Sequence, residues 1–103
     1  MDRVNAYLLR LLSELVREEL AGNNDLVTLT SVDTTRDLKQ ARVFVTASAG
    51  LPGYVEQLNA SAYAIRSRLR PLLDFKIIPT LVFVADVHNQ DIARVEQLLD
   101  SLP

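Results

Sequence analysis

The sequence contains no cysteine, one histidine and only three glycines among its 103 residues. Without cysteine the chain can form neither a disulfide framework nor a thiolate metal site, and thiol-based nucleophilic catalysis is excluded. The three glycines, Gly22, Gly50 and Gly53, match no nucleotide-binding loop. No apolar run approaches the roughly 18 residues that a membrane-spanning helix needs. These absences favour a reducing compartment and no membrane insertion.

Candidate catalytic residues are equally scarce. His88 is the single histidine, and Asp86 precedes it by two residues in a predicted loop. A general base needs an oriented partner and a nucleophile or metal nearby, and no such set is visible in the sequence. We therefore predict that the protein is not an enzyme.

The composition is that of an ordinary globular protein, with 49% hydrophobic and 23% charged residues. A chain of 103 residues is too short for a second independent core, so we predict a single domain spanning residues 1–103. Its first residues lead directly into an amphipathic helix and do not resemble a secretion signal. We expect a soluble, cytoplasmic protein.

The net charge of −2 is unevenly distributed along the chain. Residues 34–80 contain seven basic and three acidic residues, a net charge of +4. The two flanks contain four basic and ten acidic residues, a net charge of −6. A basic middle between acidic ends favours a local RNA-binding face, although scattered surface charge would give a similar pattern.

Hydrophobic periodicity predicts the secondary structure. The predicted elements are a helix at residues 3–20, strands at 26–32 and 41–47, a helix at 54–73 that bends near 59–62, a strand at 77–85 and a helix at 91–102. The order is α-β-β-α(kink)α-β-α. We therefore predict an α+β fold, with a three-stranded sheet and helices packed on one face. This order is compatible with a type II KH domain, and also with ferredoxin-like modules.

Residues 26–45, with the sequence LVTLTSVDTTRDLKQARVFV, resemble the signature of the ribosome-binding factor A family. The matching features are a threonine-rich strand, an Asp-Leu pair, an alanine followed by a basic residue, and a Val-aromatic-Val strand. Further segments that resemble the family are residues 3–4, 18–20, 65–67, 77–81, 93–95 and 98–99. The resemblance spans nearly the whole chain.

This resemblance implies a KH-like RNA-binding domain that joins immature small ribosomal subunits. It also implies that the protein supports late processing and folding of small-subunit rRNA, a role that is most needed in the cold. The resemblance further implies a cytoplasmic monomer that needs no cofactor. The implied partners are the small subunit and its rRNA, with assembly GTPases as further partners. The competing hypothesis is a small protein-interaction module, or a homo-oligomer, that uses the acidic ends and binds no RNA.

The sequence departs from the family at two places. The Ala-x-Gly kink between two helices of the family aligns here with Ser61-Ala62-Tyr63. Tyrosine lacks the freedom of glycine at positive φ, so the kink is expected to be shallower or shifted onto residues 60–62. Asp74 stands where relatives usually carry a basic residue, and it should weaken local attraction for phosphate.

The predicted contacts with RNA are mostly cations. Arg66 and Arg70 share a helix face four residues apart, and arginine matches phosphate bidentately. We expect Tyr63 in the core, with base stacking as the alternative. Arg10 and Arg17 are expected to be neutralised by Glu14. The predicted RNA-binding residues are Arg3, Arg36, Lys39, Arg42, Ser61, Ala62, Tyr63, Arg66, Arg70 and Lys76.

Overall fold

The computed structural model describes residues 2–74 and 76–86 of the chain. Its elements, in chain order, are α1 (Asp2–Glu19), β1 (Val27–Thr34), β2 (Gln40–Ala47), α2 (Leu51–Ala60), α3 (Ala62–Leu69), a 3₁₀ turn (Arg70–Leu72) and β3 (Thr80–Ala85). The predicted α+β class and the order α-β-β-α-α-β are confirmed. The predicted closing helix, residues 91–102, lies outside the described residues.

α1 packs along the sheet through one apolar face. Leu8, Leu12 and Leu15, spaced by three or four residues, are buried, because 3.6 residues per turn bring such positions to one side of a helix. The chain leaves the helix through Gly22, which has a φ of 96°. Glycine adopts this left-handed conformation without the steric cost that a side chain brings.

The three strands form one sheet in the order β1-β2-β3. β1 and β2 are antiparallel, with Thr34 opposite Ala41, and their connection is a hairpin. β2 and β3 are parallel, with Gln40 opposite Thr80. Parallel neighbours need a crossover connection, and α2 and α3 supply it.

The core lies between the sheet and the helices. Alternate residues of β2 point toward the helices, so Val43 and Val45 are fully buried. Phe83 on β3 is 1% exposed, and burial of such a side chain contributes about 1.5–3 kcal/mol. The opposite face of β2 carries Arg42, which is exposed, and Phe44, which is half-buried.

The starts of α2 and β3 each differ from the prediction by three residues. α2 begins at Leu51 rather than residue 54, because Gly50 turns the chain with a φ of 69° and Pro52 occupies the first helical turn. A proline is tolerated there, since the N–H it lacks would have no partner within the helix. β3 begins at Thr80 rather than residue 77, directly after Pro79, which has no N–H to donate to the sheet.

Candidate nucleic-acid interface

Backbone contacts bring distant segments of the chain together at one end of the sheet. The amide of Thr34 donates to Asn5 Oδ1 at 3.1 Å, which places the first turn of α1 beside the end of β1. The amide of Thr80 donates to the carbonyl of Lys39 at 2.8 Å, which places the start of β3 beside the start of β2. Six predicted cations lie on the segments that meet at this end: Arg3, Arg36, Lys39, Arg66, Arg70 and Lys76. We call these six residues the basic end. The same segments also carry the carboxylates of Asp37 and Asp74.

Arg66 is held by the backbone that leads into β3. Its Nε donates to the carbonyls of Ile78 and Pro79, both at 3.2 Å, and its Nη2 donates to Ile78 at 2.8 Å. These bonds fix the half-buried side chain and order residues 77–79 ahead of the strand. Arg66 therefore has a structural role in addition to its predicted contact with RNA, which stays a prediction.

A cavity opens beside Arg66. It has a volume of about 520 Å³ and lies between the end of α3 and the segment before β3. Its lining residues are Arg66, Arg70, Leu73, Lys76, Ile77 and Ile78. In the described part of the chain, three cations and no carboxylate line this space.

The β1–β2 hairpin tip is ordered by its own side chains. The Asp37 carboxylate accepts hydrogen bonds from the Thr35 hydroxyl at 2.7 Å and the Lys39 amide at 3.1 Å. These two bonds hold the pKa of Asp37 below its ordinary value. Leu38 closes the turn in the left-handed region, with a φ of 61°. The tip therefore presents Arg36 and Lys39 on a defined loop.

Arg42 lies apart from the basic end, on the face of the sheet away from the helices. Its Nη2 is 2.6 Å from Asp33 Oδ2, and its guanidinium carbon is 6.0 Å from the centre of the Phe44 ring. The two charged side chains are 58% and 56% exposed, so the pair contributes at most about 1 kcal/mol to stability. The pairing nevertheless offsets the charge that Arg42 was predicted to offer to RNA.

Two other arginines, on the helices, contact neighbouring side chains. Arg68 forms an ion pair with Glu18. Arg10 lies over the ring of Tyr7, 5.6 Å from its centre. The predicted pairing of Arg10 and Arg17 with Glu14 is wrong, since the ion pairs among the described residues involve only Arg42 and Arg68. The long side chain of Arg10 reaches a ring one turn away instead of the carboxylate.

The helical segment breaks at Ser61, between α2 and α3. Ser61 has a φ of −97° and a ψ of 4°, and its amide donates to the carbonyls of Gln57 and Leu58. Negative φ is open to any residue with a side chain.

Tyr63 is 77% exposed, so the expectation that its ring packs in the core is wrong. Its spacing of three and seven residues places it on the helix face that carries Arg66 and Arg70.

Asn59 fixes the break against the sheet, a role that sequence reasoning missed. Its Nδ2 donates to the carbonyl of Phe83, and its Oδ1 accepts from the amide of Phe83, both at 2.8 Å. The side chain thus pairs with the outer edge of β3 as a neighbouring strand would. The sequence offered one signal, a polar residue at the start of the predicted bend.

Comparison with known proteins assigns the chain to a family. The family model described as ribosome-binding factor A matches residues 1–99. The chain belongs to the ribosome-binding factor A family. The ribosome-binding factor A of Chlorobaculum tepidum is 37% identical over 106 aligned residues, which cover 98% of this chain and 88% of that protein. That of Methylobacillus flagellatus is 32% identical over 101 residues, covering 96% and 81%.

Solved structures of the family show the same fold. The crystal structure of ribosome-binding factor A from Thermus thermophilus matches with a TM-score of 0.75 at 21% identity, over 82% of this chain and 93% of that chain. A model of the Thermus thermophilus factor, fitted into a cryo-EM map of its complex with the 30S subunit, matches with a TM-score of 0.69 at 23% identity, over 78% and 88%.

The break at Ser61 lies in the segment that was predicted to align with the Ala-x-Gly kink of the family. Ser61, between two helices that end at Ala60 and begin at Ala62, belongs both to the aligned segment 61–63 and to the shifted segment 60–62. Because the φ of Ser61 is negative, the break forms without the family's glycine. Ala62 is half-buried and packs against the core, which leaves Tyr63 as the exposed side chain beside the break.

Within residues 2–74 and 76–86, no group of three or more His, Cys, Asp or Glu side chains gathers where it could hold a metal ion. No helix in the same range has the length and apolar character needed to cross a membrane. His88, considered above as a candidate base, lies outside the described residues.

Proposed function

We propose that this protein binds immature small ribosomal subunits through the basic end and assists late maturation of their rRNA. The proposal is supported by the backbone contacts that bring the segments carrying six cations to one end of the sheet, in a chain whose net charge is −2. Residues 1–103 would act as one KH-like RNA-binding domain. Neither a cofactor nor catalysis is required.

Phosphate contacts explain how such an end binds RNA. Each cation that replaces a condensed counterion makes the affinity depend on salt. The logarithm of the binding constant then falls with the logarithm of the salt concentration, with a slope of about −0.7 to −0.9 per phosphate. If all six cations reach phosphates, the slope is about −4 to −5. Affinity should then fall by about a hundredfold between about 50 and 150 mM salt. An apolar protein interface would respond far less.

The comparisons support the choice of partner. A relative with the same fold was fitted into a map of its complex with the 30S subunit. We propose the same class of partner here, bound transiently by a cytoplasmic monomer, with assembly GTPases as further partners and a greater requirement in the cold. Tyr63, exposed beside the break, adds a ring on which an unpaired base can stack.

Co-sedimentation tests the proposal. Purified protein is mixed with small subunits, large subunits or intact ribosomes at low and moderate salt, and pelleted through a sucrose cushion. We expect migration with free small subunits that is lost as salt rises. Binding to no particle would contradict the proposal and leave the protein-interaction module, or a homo-oligomer, as the better hypothesis. Salt-independent binding would refute the electrostatic part.

A further inference from the structure

The cavity beside Arg66 differs from the rest of the basic end. Arg66, Arg70 and Lys76 line a cavity of about 520 Å³, whereas Arg36 and Lys39 are exposed at the hairpin tip and are not among its lining residues. We propose that this cavity is a phosphate site, in which these three side chains hold one phosphodiester group of an RNA backbone. The inference rests on the proposed function for the source of the phosphate.

Charge is the first argument for an anion. Arg70 and Lys76 are exposed and form no ion pair or side-chain hydrogen bond within the described part of the chain. By contrast, Arg42 and Arg68 are paired with carboxylates. The cavity therefore concentrates positive charge that no carboxylate among its described lining residues offsets, and an oxyanion is the complementary ligand.

Preorganisation is the second argument. Nε and Nη2 of Arg66 donate hydrogen bonds to the carbonyls of Ile78 and Pro79, and Nη1 takes no part in these bonds. A guanidinium already fixed loses little side-chain entropy when it binds a ligand. Arg70 lies at the start of the 3₁₀ turn, where Pro71 restricts the backbone. Two of the three cations are thus constrained before any ligand arrives, Arg66 at its side chain and Arg70 at its backbone.

The apolar walls are the third argument. Leu73, Ile77 and Ile78 line the same cavity as the cations. Leu73 is buried and Ile78 is half-buried, so this side of the cavity offers no competing polar side chain. A phosphate there is shielded from water on one side, which strengthens its attraction to the cations relative to a fully solvated contact.

Titration with inorganic phosphate tests the site without a ribosome. The ¹⁵N-labelled full chain is titrated with sodium phosphate, and in parallel with sodium chloride at equal ionic strength, while two-dimensional NMR spectra are recorded. We expect saturable shifts at the amides of Arg66, Arg70 and residues 76–78 with phosphate and none with chloride. Shifts that do not saturate would overturn the inference.

Two double variants with the same change of charge make the test specific. Arg70→Gln with Lys76→Gln removes two cations from the cavity and should weaken phosphate binding by about a hundredfold, about tenfold for each charge-assisted hydrogen bond lost. Arg36→Gln with Lys39→Gln removes two cations from the hairpin tip and should leave phosphate affinity unchanged. All four side chains are exposed, so both variants should fold. Equal losses in the two variants would show general attraction instead of a site.

A second titration identifies the source of the phosphate. A short oligoribonucleotide should shift the same cavity amides, and the cavity variant should reduce that effect. If inorganic phosphate saturates the cavity while RNA leaves these amides unmoved, the assignment to an RNA backbone is overturned. Small-subunit binding without saturable phosphate binding would refute the site and keep the proposed function. Saturable phosphate binding without small-subunit binding would keep the site as an anion site and refute the function.

Discussion

Removal of the Asn59 side chain should detach the break between α2 and α3 from the sheet. In Asn59→Ala, the amide and the carbonyl of Phe83 each lose a partner at 2.8 Å. Both groups point away from β2, since they bond Asn59 rather than the neighbouring strand. No other described side chain forms hydrogen bonds with them. The substitution therefore leaves the amide and the carbonyl of Phe83 without a protein partner at the outer edge of β3.

The expected loss of stability follows from the number of bonds. Each hydrogen bond contributes about 0.5–1.5 kcal/mol net, so two bonds predict a loss of about 2 kcal/mol in the free energy of unfolding. For a domain of this size, 1 kcal/mol corresponds to about 4–8 °C in Tm. The Tm of Asn59→Ala should therefore fall by about 10 °C. Asn59→Asp keeps the acceptor for the Phe83 amide but loses the donor to its carbonyl.

Urea unfolding followed by circular dichroism measures the loss, and amide hydrogen exchange locates it. The Phe83 amide should lose protection in Asn59→Ala and keep more of it in Asn59→Asp. Gln57→Ala is the matched control, because Gln57 is exposed on the same helix and its side chain has no hydrogen-bond partner among the described residues. If Asn59→Ala is as stable as this control and the Phe83 amide stays protected, the reasoning is refuted.

Three further predictions concern charge and hydrogen bonding. The hydrogen bond that Tyr54 donates to Asp25 at 2.7 Å raises the pKa of Tyr54 above its ordinary value of 10.0. The stabilisation from this hydrogen bond is therefore complete below pH 10.0 and is lost as the pH rises through the raised pKa. In urea titrations at alkaline pH, the free energy of unfolding should fall more steeply with pH for the unsubstituted protein than for Tyr54→Phe. Asp74→Asn should raise affinity for small subunits about twofold to threefold at low salt by removing an anion near the cavity, and co-sedimentation at high salt should show no gain. Arg66→Lys should lower the free energy of unfolding by about 1–2 kcal/mol in urea, because one ammonium cannot reproduce the three bonds to two carbonyls; unchanged stability would show that those bonds are dispensable.

The regular elements could be predicted because their signals are local. The apolar spacing of α1 and the β-branched runs of β1 and β2 each lie within a few residues. The start of α2 was misplaced because Leu51, Pro52 and Gly53 have the composition of a loop. A proline in a first helical turn is itself a signal for a helix start, and the prediction did not use it.

The site was only partly predictable because its geometry is tertiary. The candidate cations could be named from charge alone, but Arg3 and Lys76 are separated by most of the chain before folding brings their segments to one end. Arg66 bonds carbonyls twelve and thirteen residues away, and Asn59 bonds a backbone 24 residues away. Such bonds leave no periodicity in a sequence. The exposure of Tyr63 likewise depends on how the break orients α3.

The six cations of the basic end are carried on segments that only folding brings together. In an unfolded chain the same cations are spread over more than seventy residues. A polyanion that contacts all of them therefore binds the folded chain more tightly than the unfolded one. Binding of such a polyanion should thus stabilise the fold itself.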